Sequence, residues 1–415
     1  MKKKVAVIFG GRSVEHEVSV ITGLQVIENI DEEKYEALPV YISKDGKWYT
    51  GESLLQFKNF KTNNLKDLKE IVMTPINNDL YLYSHPGEKA GLFGKKYAEK
   101  IDIVFPALHG TYGEDGSLQG LFELVNIPYV GGGVLASSVG MDKILMKDVF
   151  KANELPVVDY TWFYRSKWEE NKTEVLQMIK EKLQYPMFVK PANLGSSVGI
   201  SKAKDDEGLE RAIEIAIRYD RKIIVEKAVE NPREINCAVM GYDDNIMASL
   251  CEEPLGWQDL LSYEDKYVKS NMKNGKGERR KIPADIPENT RKAIEDIAMK
   301  SFQVIDGRGN SRIDFLLDKD NNIYVNEINT LPGSIAYYLW EGKGISFKKL
   351  VDKMIDIALK IHEEKNKNMY SYDVDLFNKI QFGGKSVKFN QSSSSCVIST
   401  LRFAISRIAT NKMFT

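Results

Sequence analysis

Short apolar runs alternate with longer amphipathic stretches along most of the chain. The run VAVIFGG stops at a glycine pair. Polar-leaning residues with Glu15, His16 and Glu17 follow, and VSVITGLQVIENI then has helical spacing, an order that predicts a β-loop-α opening. IDIVFPALHG begins a second such unit: a buried strand from Ile101 to Leu108 feeds the loop HGTYGEDGS and a helix over LQGLFELV. A third strand, IPYVG, leads into GGVLASSVGMDKILMKDVFKANELP, where a first domain hands over to a second. From about Pro156 to Val225 the order is strand, helix (ENKTEVLQMIKEKL), strand (YPMFVK), loop, strand, helix (EGLERAIEIAI), strand (KIIVEK). Beyond Glu234 come the alternating strand EINCAVMG, MASLCEE with a loop-rich interval, the helix NTRKAIEDIAMKSFQVI, and the strands SRIDFLLD and NIYVNEIN joined at Asp320, Asn321 and Asn322.

Three places in this pattern concentrate chemistry. Loops at the carboxyl ends of strands carry ligands in open α/β sheets, which singles out Glu15, His109, Glu114 and Asp115. The stretch KPANLGSSVGIS reads as a hairpin turn rich in glycine and serine, able to aim several N–H and hydroxyl donors at one anion. It lacks the GxxxxGK[ST] of a Walker A loop, and an ordinary hairpin turn has the same composition. In the last two strands, Arg312 and Asp314 are two apart, as are Glu327 and Asn329, so each pair shares one face. If the faces coincide, hard oxygen donors suited to Mg²⁺ stand beside an arginine able to stabilise phosphoryl charge, within an apolar frame of Ile313, Phe315, Ile328 and Leu331. The other reading is a solvated hairpin face, and that apolar frame weighs against it.

Composition narrows the class. The 415 residues are 43% hydrophobic and 28% charged, enough for two or three packed domains. With 58 basic and 59 acidic residues the net charge is -1, which gives no sign of a nucleic-acid or membrane partner. Cys237, Cys251 and Cys396 are too few and scattered for a disulfide framework or a zinc site and fit a reducing compartment. The lysines of MKKK are followed by too short an apolar run for a signal peptide, and no segment has the roughly 18 apolar residues of a spanning helix. A cytoplasmic protein is expected.

Eight motifs in order carry a resemblance: GGRSVEHEVSV, HGTYGEDGSLQG, MDK, KPANLGSSVGIS, VEK with REI, YEDKY, SRIDF and NEINTLPG. Over about residues 4 to 360 the chain resembles the ATP-grasp proteins and, within them, the D-alanine–D-alanine ligases. The resemblance implies a three-domain ATP-grasp fold, α/β and α+β, divided 1–131, 132–225 and 226–365, with an atypical tail over 366–415. It implies ATP-dependent joining of two D-alanines through an acyl phosphate for peptidoglycan precursor synthesis, with ATP and two Mg²⁺ ions, for which Mn²⁺ can substitute. A homodimer is expected.

By the same resemblance, Glu15 holds the first substrate's ammonium in a group with Ser196 and Tyr267, and His109 lies near its carboxylate. Lys143, Lys190 and Lys266 contact the ATP phosphates, over which the loop containing Ser197 closes. Glu226 and Lys227 lie on the adenine side and Glu234 at the ribose. Asp314, Glu327 and Asn329 bind metal, while Arg312 and the Gly333 backbone stabilise the oxyanion. A loop around 256 to 275 covers the site. The chain departs from the family pattern in three places. Tyr338 stands where a serine meets the second substrate's carboxylate, Trp257 is unusual, and residues 366–415 match nothing in the family. Tyr338 keeps open an altered second substrate, such as D-serine or a larger amine acceptor. The serine-rich tail reads as a disordered or loosely attached extension, with a small packing helix as the other option.

Overall fold

The structure is a computed structural model describing residues 2–62, 64–76, 79–85, 98–255 and 280–370. Trp257, Lys266, Tyr267 and the covering loop lie outside the described residues, as does most of the 366–415 extension. The described residues up to 367 form a first compact unit, and the chain divides from it at residue 368.

Three sheets organise the first unit. Strands β1 (Lys3–Gly10), β2 (Tyr35–Ile42), β3 (Trp48–Thr50), β4 (Lys69–Ile76), β5 (Asp79–Ser84), β6 (Ala98–Ile101) and β7 (Ile103–Pro106) make a sheet in the order β6-β5-β4-β3-β2-β1-β7. β1 runs parallel to β2 and β7, and the remaining pairs are antiparallel. Val5 to Phe9 of β1 are wholly buried, as a central parallel strand requires. The loops after β1 and β7 therefore open at the same edge of the sheet.

Two strand expectations change here. The run Ile101–Leu108 is broken at Asp102, whose side chain accepts the backbone N–H of Lys4, so β7 starts only at Ile103. IPYVG makes a single parallel bridge, Val104 to Tyr129. Pro128 has no N–H to extend that ladder and Gly131 turns away at φ 97°.

The second sheet, β10-β9-β11-β8, contains β8 (Tyr160–Tyr164), β9 (Met187–Pro191), β10 (Ser201–Ala203) and β11 (Lys222–Lys227). β9 and β10 pair antiparallel, so residues 192–200 are the turn of a hairpin. Helices Lys172–Lys182 and Asp206–Ala216 cover this sheet, each started by a side chain accepting an orphan N–H: Asn171 from Glu174 and Asp205 from Gly208. The third sheet, β14-β13-β12-β15-β16, contains β12 (Arg233–Tyr242), β13 (Asn245–Pro254), β14 (Arg280–Lys281), β15 (Gly309–Leu317) and β16 (Ile323–Asn329). Helix Glu288–Val304 packs on it through Ile294, Ala298 and Phe302, and helix Phe347–Lys365 joins it to the first sheet. Cys237 and Cys251, distant in sequence, face each other across β12 and β13 as buried free thiols. No helix among the described residues is long and apolar enough to cross a membrane.

Candidate active site

Glu15 begins helix His16–Asn29, directly after the glycine turn that ends β1. Its N–H is taken by the Ser13 hydroxyl at 3.1 Å, its carbonyl accepts from Ser19 Oγ, and its side chain is buried. The Ser196 hydroxyl, from the β9–β10 hairpin, donates to Glu15 Oε1. Space explains the glycines: a Cβ on Gly195 would lie 2.6 Å from Glu15 Oε2, and one on Gly110 would lie 2.7 Å from the same oxygen. The hairpin tip is bare because the Glu15 carboxylate, at the start of the helix that follows β1, occupies the room a side chain would need. Ser196 and Ser197 both adopt left-handed backbone, at φ 54° and 59°. His16 supports the glycine turn from behind, with Nδ1 2.7 Å from the Gly11 carbonyl and Nε2 3.2 Å from the Tyr41 hydroxyl.

His109 is buried beside this corner. Its N–H donates to Ser19 Oγ at 2.8 Å and its Nε2 lies 2.8 Å from Thr22 Oγ1. The same Thr22 oxygen accepts from the backbone N–H of Ser334 at 3.0 Å, so the imidazole is tied through one hydroxyl to the turn that starts at Gly333. Glu114 spans the same gap, accepting from Gly110 N–H at 2.7 Å and Leu331 N–H at 3.2 Å. Asp115 accepts from Tyr112 and Ser117 N–H groups, a turn-holding role.

Burial depresses the His109 pKa to about 4, offset in part by a hydrogen bond with the Leu331 backbone and deepened by Arg312. The unfolded chain takes up this proton near 6.5 and the folded one only near 4. Stability from this residue is therefore complete above pH 6.5 and is lost as pH falls toward 4, by about 3 kcal/mol. His109→Gln should lack that acid-side loss, so denaturation midpoints of the two proteins should converge between pH 6.5 and 4. A pH-independent gap would contradict a buried neutral imidazole.

A lysine cluster lies between the second and third sheets. Asp142 caps helix Lys143–Ala152 by accepting from Ile144 and Leu145 N–H, and the Lys143 N–H bonds the Ala192 carbonyl at the end of β9. Lys143 Nζ then donates to the Leu194 carbonyl at 2.8 Å and stands 3.9 Å from Glu327 Oε2. Lys190 Nζ lies 2.7 Å from Glu226 Oε2. One turn beyond Lys143, Lys147 is fully buried, with Nζ 3.2 Å from Glu226 Oε1. Burial favours the neutral acid, but the two lysines outweigh it and hold the Glu226 carboxyl at about 2. Lys227, next along β11, is exposed, and Glu234 is half-buried on β12.

The faces of β15 and β16 coincide: Arg312 is opposite Asn329, and Asp314 is opposite Glu327. Arg312 grips Asp314 with two hydrogen bonds, Nε to Oδ1 at 2.6 Å and Nη2 to Oδ2 at 2.7 Å, and Asn329 Nδ2 donates to Oδ2 at 3.2 Å. The row extends further than two strands. Asn236 is opposite Asp314, and Glu252 is opposite Asn236, so Glu252, Asn236, Asp314 and Glu327 cross four strands side by side. Asn236 Nδ2 donates to Glu252 Oε1 at 3.1 Å, and burial raises the Glu252 carboxyl. Among the described residues no group of three or more His, Cys, Asp or Glu side chains forms a metal cluster. Two carboxylates and an amide nevertheless suit an ion that retains water and completes its shell on phosphate oxygens, as Mg²⁺ does.

After Gly333, three non-glycine residues in succession take left-handed backbone: Ser334 (φ 51°), Ile335 (φ 45°) and Ala336 (φ 47°). Such a run is costly, most of all for β-branched Ile335, and needs external support. Asn310 supplies it, donating to the Ile335 carbonyl at 2.8 Å while its own oxygen accepts from Trp340 Nε1 at 3.0 Å. The turn delivers a short helix, Tyr338–Glu341, in which Leu339 and Trp340 are buried. Tyr337 stacks on Phe347 at 4.4 Å, whereas the Tyr338 ring lies under the Arg280 guanidinium at 4.1 Å. Burial is the main cause that pushes the Tyr338 phenol up to about 12, so it remains a hydrogen-bond donor near neutrality.

The structure thus gathers Glu15 and Ser196 at one corner, Lys143, Lys190 and Glu226 at a second, and Arg312, Asp314, Glu327 and Asn329 on one sheet face. Lys147, Thr22, Asn310 and Glu252 were not singled out from sequence. Only Lys147 left a trace there, four residues after Lys143 in MDKILMK.

Comparison with known proteins agrees with this geometry. A family model described as D-ala D-ala ligase N-terminus matches residues 4–132, and one described as D-ala D-ala ligase C-terminus matches 149–356. The chain is 43% identical over 377 residues to a D-alanine–D-alanine ligase of Thermosipho africanus, covering 90% of this chain and 98% of that protein. It is 41% identical to one of Bacillus cytotoxicus, covering 89% and 99%. Among solved structures, the D-alanine-D-alanine ligase from Coxiella burnetii aligns with TM-score 0.73 at 30% identity, over 88% of this chain and 96% of that one. The VanG D-Ala:D-Ser ligase from Enterococcus faecalis aligns with TM-score 0.72 at 32% identity, over 86% and 100%. Identity of this level across nearly the whole length of these relatives, with both halves of the family matched, makes the chain a member of the D-alanine–D-alanine ligase family with the ATP-grasp fold.

Proposed function

We propose that this protein joins two D-alanines with ATP to give D-alanyl-D-alanine for peptidoglycan precursors. The observation that carries the reading is the bond from Ser196 to Glu15: it seats a buried carboxylate, fit for an ammonium ion, beside a hairpin tip of N–H and hydroxyl donors. In the first step the carboxylate of the first D-alanine attacks the γ-phosphate, giving an acyl phosphate and ADP. The amine of the second then displaces phosphate through a tetrahedral intermediate. Both steps build charge on oxygen, so cations and N–H donors do the work and no nucleophile triad is needed.

In this assignment Glu15 and Ser196 hold the first ammonium and His109, neutral, lines the carboxylate end. Lys143, Lys190 and Ser197 contact phosphate, Glu226 and Lys227 flank adenine, and Glu234 accepts from the ribose. Asp314, Glu327 and Asn329 hold Mg²⁺, or Mn²⁺ in its place, which when bound neutralises phosphate charge. Arg312 and the Gly333 N–H face the oxyanion. Tyr267 and Lys266 would complete the site from outside the described residues. The proposal includes three domains, 1–131, 132–225 and 226–365, a cytoplasmic location and a homodimer. Phosphate release with ATP, Mg²⁺ and a panel of D-amino and D-hydroxy acids, singly and in pairs, with product masses, tests it; no release with D-alanine would overturn it.

A second reading, an acceptor other than D-alanine, draws on Tyr338, whose phenol stands near Arg312 and Glu252, and on the likeness to a D-Ala:D-Ser ligase. Tyr338→Ser should change the acceptor part of kcat/KM far more than the ATP or donor parts, by about 1 to 3 kcal/mol in favour of the bulkier acceptor. Equal loss for every substrate with a lower melting temperature would instead assign Tyr338 to packing.

A further inference from the structure

We propose that Lys147 is a positioning residue of the nucleotide site: it stays on Glu226 as a fixed counter-ion, so that Lys190 can leave Glu226 for the nucleotide phosphates. The inference rests on the ATP-binding reading above and goes beyond it. Glu226 receives one ammonium on each oxygen, Lys147 on Oε1 at 3.2 Å and Lys190 on Oε2 at 2.7 Å. The two lysines also share Asn326, Lys147 donating to its backbone carbonyl and Lys190 to its Oδ1, both at 3.4 Å. Their surroundings differ. The Lys147 side chain is 0% exposed and fixed on a helix, while that of Lys190 is 11% exposed at the end of β9, next to the glycine-serine hairpin.

One buried carboxylate needs one buried cation. A second is surplus, and the surplus one is the lysine with access to the open side. When Lys190 turns to a phosphate, Glu226 and Lys147 remain as a neutral pair and nothing is left uncompensated. Without Lys147, Lys190 would be the only counter-ion, and its departure would strand a buried carboxylate, so nucleotide would have to compete with Glu226 for it. Lys147 touches no substrate in this scheme; it acts through Glu226 and Lys190.

The test is calorimetric binding of Mg·ADP and of adenosine to the full chain and two variants. Lys147→Met should weaken Mg·ADP by about 10- to 100-fold and leave adenosine unchanged, since only phosphate contacts depend on Lys190. In Lys147→Met/Glu226→Gln, a neutral isosteric pair, Glu226→Gln can weaken adenine binding in both ligands alike, so the readout is the ratio of Mg·ADP to adenosine affinity, which should return to within a few-fold of wild type. The double variant also decides the matter if the single variant does not fold. Equal weakening of both ligands by Lys147→Met, an unchanged single variant, or a double variant in which the Mg·ADP-to-adenosine ratio stays low would each overturn the role of Lys147. Failure of wild type to bind Mg·ADP would sink the nucleotide reading itself, whereas wild-type binding with indifferent variants sinks only this inference.

Discussion

Glu327→Gln is expected to lower turnover by about 10³-fold while leaving the fold intact, the size of loss associated with removing one preorganised charge from a transferring group. The substitution keeps the shape of a half-exposed side chain opposite Asp314 and takes away one of the two carboxylates that β15 and β16 bring to the sheet face. Asp314 keeps its place opposite, but its charge is already shared with the Arg312 guanidinium and does not replace the one removed. Lys143, 3.9 Å from Glu327, also loses an anionic neighbour, so ATP affinity should fall less than turnover. The measurement is steady-state rate against Mg²⁺ concentration, with a melting curve. Wild-type turnover at ordinary Mg²⁺ would remove Glu327 from the metal site.

Gly195→Ala should cost about 10²-fold in kcat/KM for the first D-alanine, with stability changed by less than about 1 kcal/mol. Gly195 is not among the residues at positive φ, so its backbone accepts alanine without strain. The added Cβ would meet Glu15 Oε2 at 2.6 Å, and the carboxylate, the free end of a flexible side chain, is what must move. Displacement separates it from Ser196 and misplaces the ammonium site proposed there, whereas Lys143 and Lys190, proposed for the phosphates, are not displaced by the added Cβ. KM for ATP should therefore stay near wild type. A variant that loses ATP affinity and keeps its D-alanine KM would show that the hairpin tip serves phosphate alone.

Together the two variants separate the halves of the site. One tests a sheet face held by register, the other a corner held by contact between distant loops. That difference also marks what could be read without a structure. Period-two spacing in SRIDF and VNEIN places Arg312, Asp314, Glu327 and Asn329 on faces, because alternation is a property of any strand. A glycine pair marks where a strand stops, as after Phe9, because this rule is local. The resemblance of ordered motifs supplied the family.

Contacts between elements were beyond local spacing. The resemblance grouped Ser196 with Glu15, 181 residues apart, whereas only the tertiary structure joined Ser334 to Thr22, 312 residues apart. The short register of IPYVG depended on where Pro128 and Gly131 fall against β7. Pairing of β12 with β13 and β15 added Asn236 and Glu252 to a row in which sequence could place only Asp314 and Glu327. A lysine in an amphipathic helix is ordinarily a solvated residue, so composition gave no reason to bury Lys147. Its position followed from the packing of helix Lys143–Ala152 beside β11, where Glu226 supplies the charge that lets an ammonium exist away from water. Local periodicity determined which side chains share a face; the register and packing of whole elements decided which faces meet.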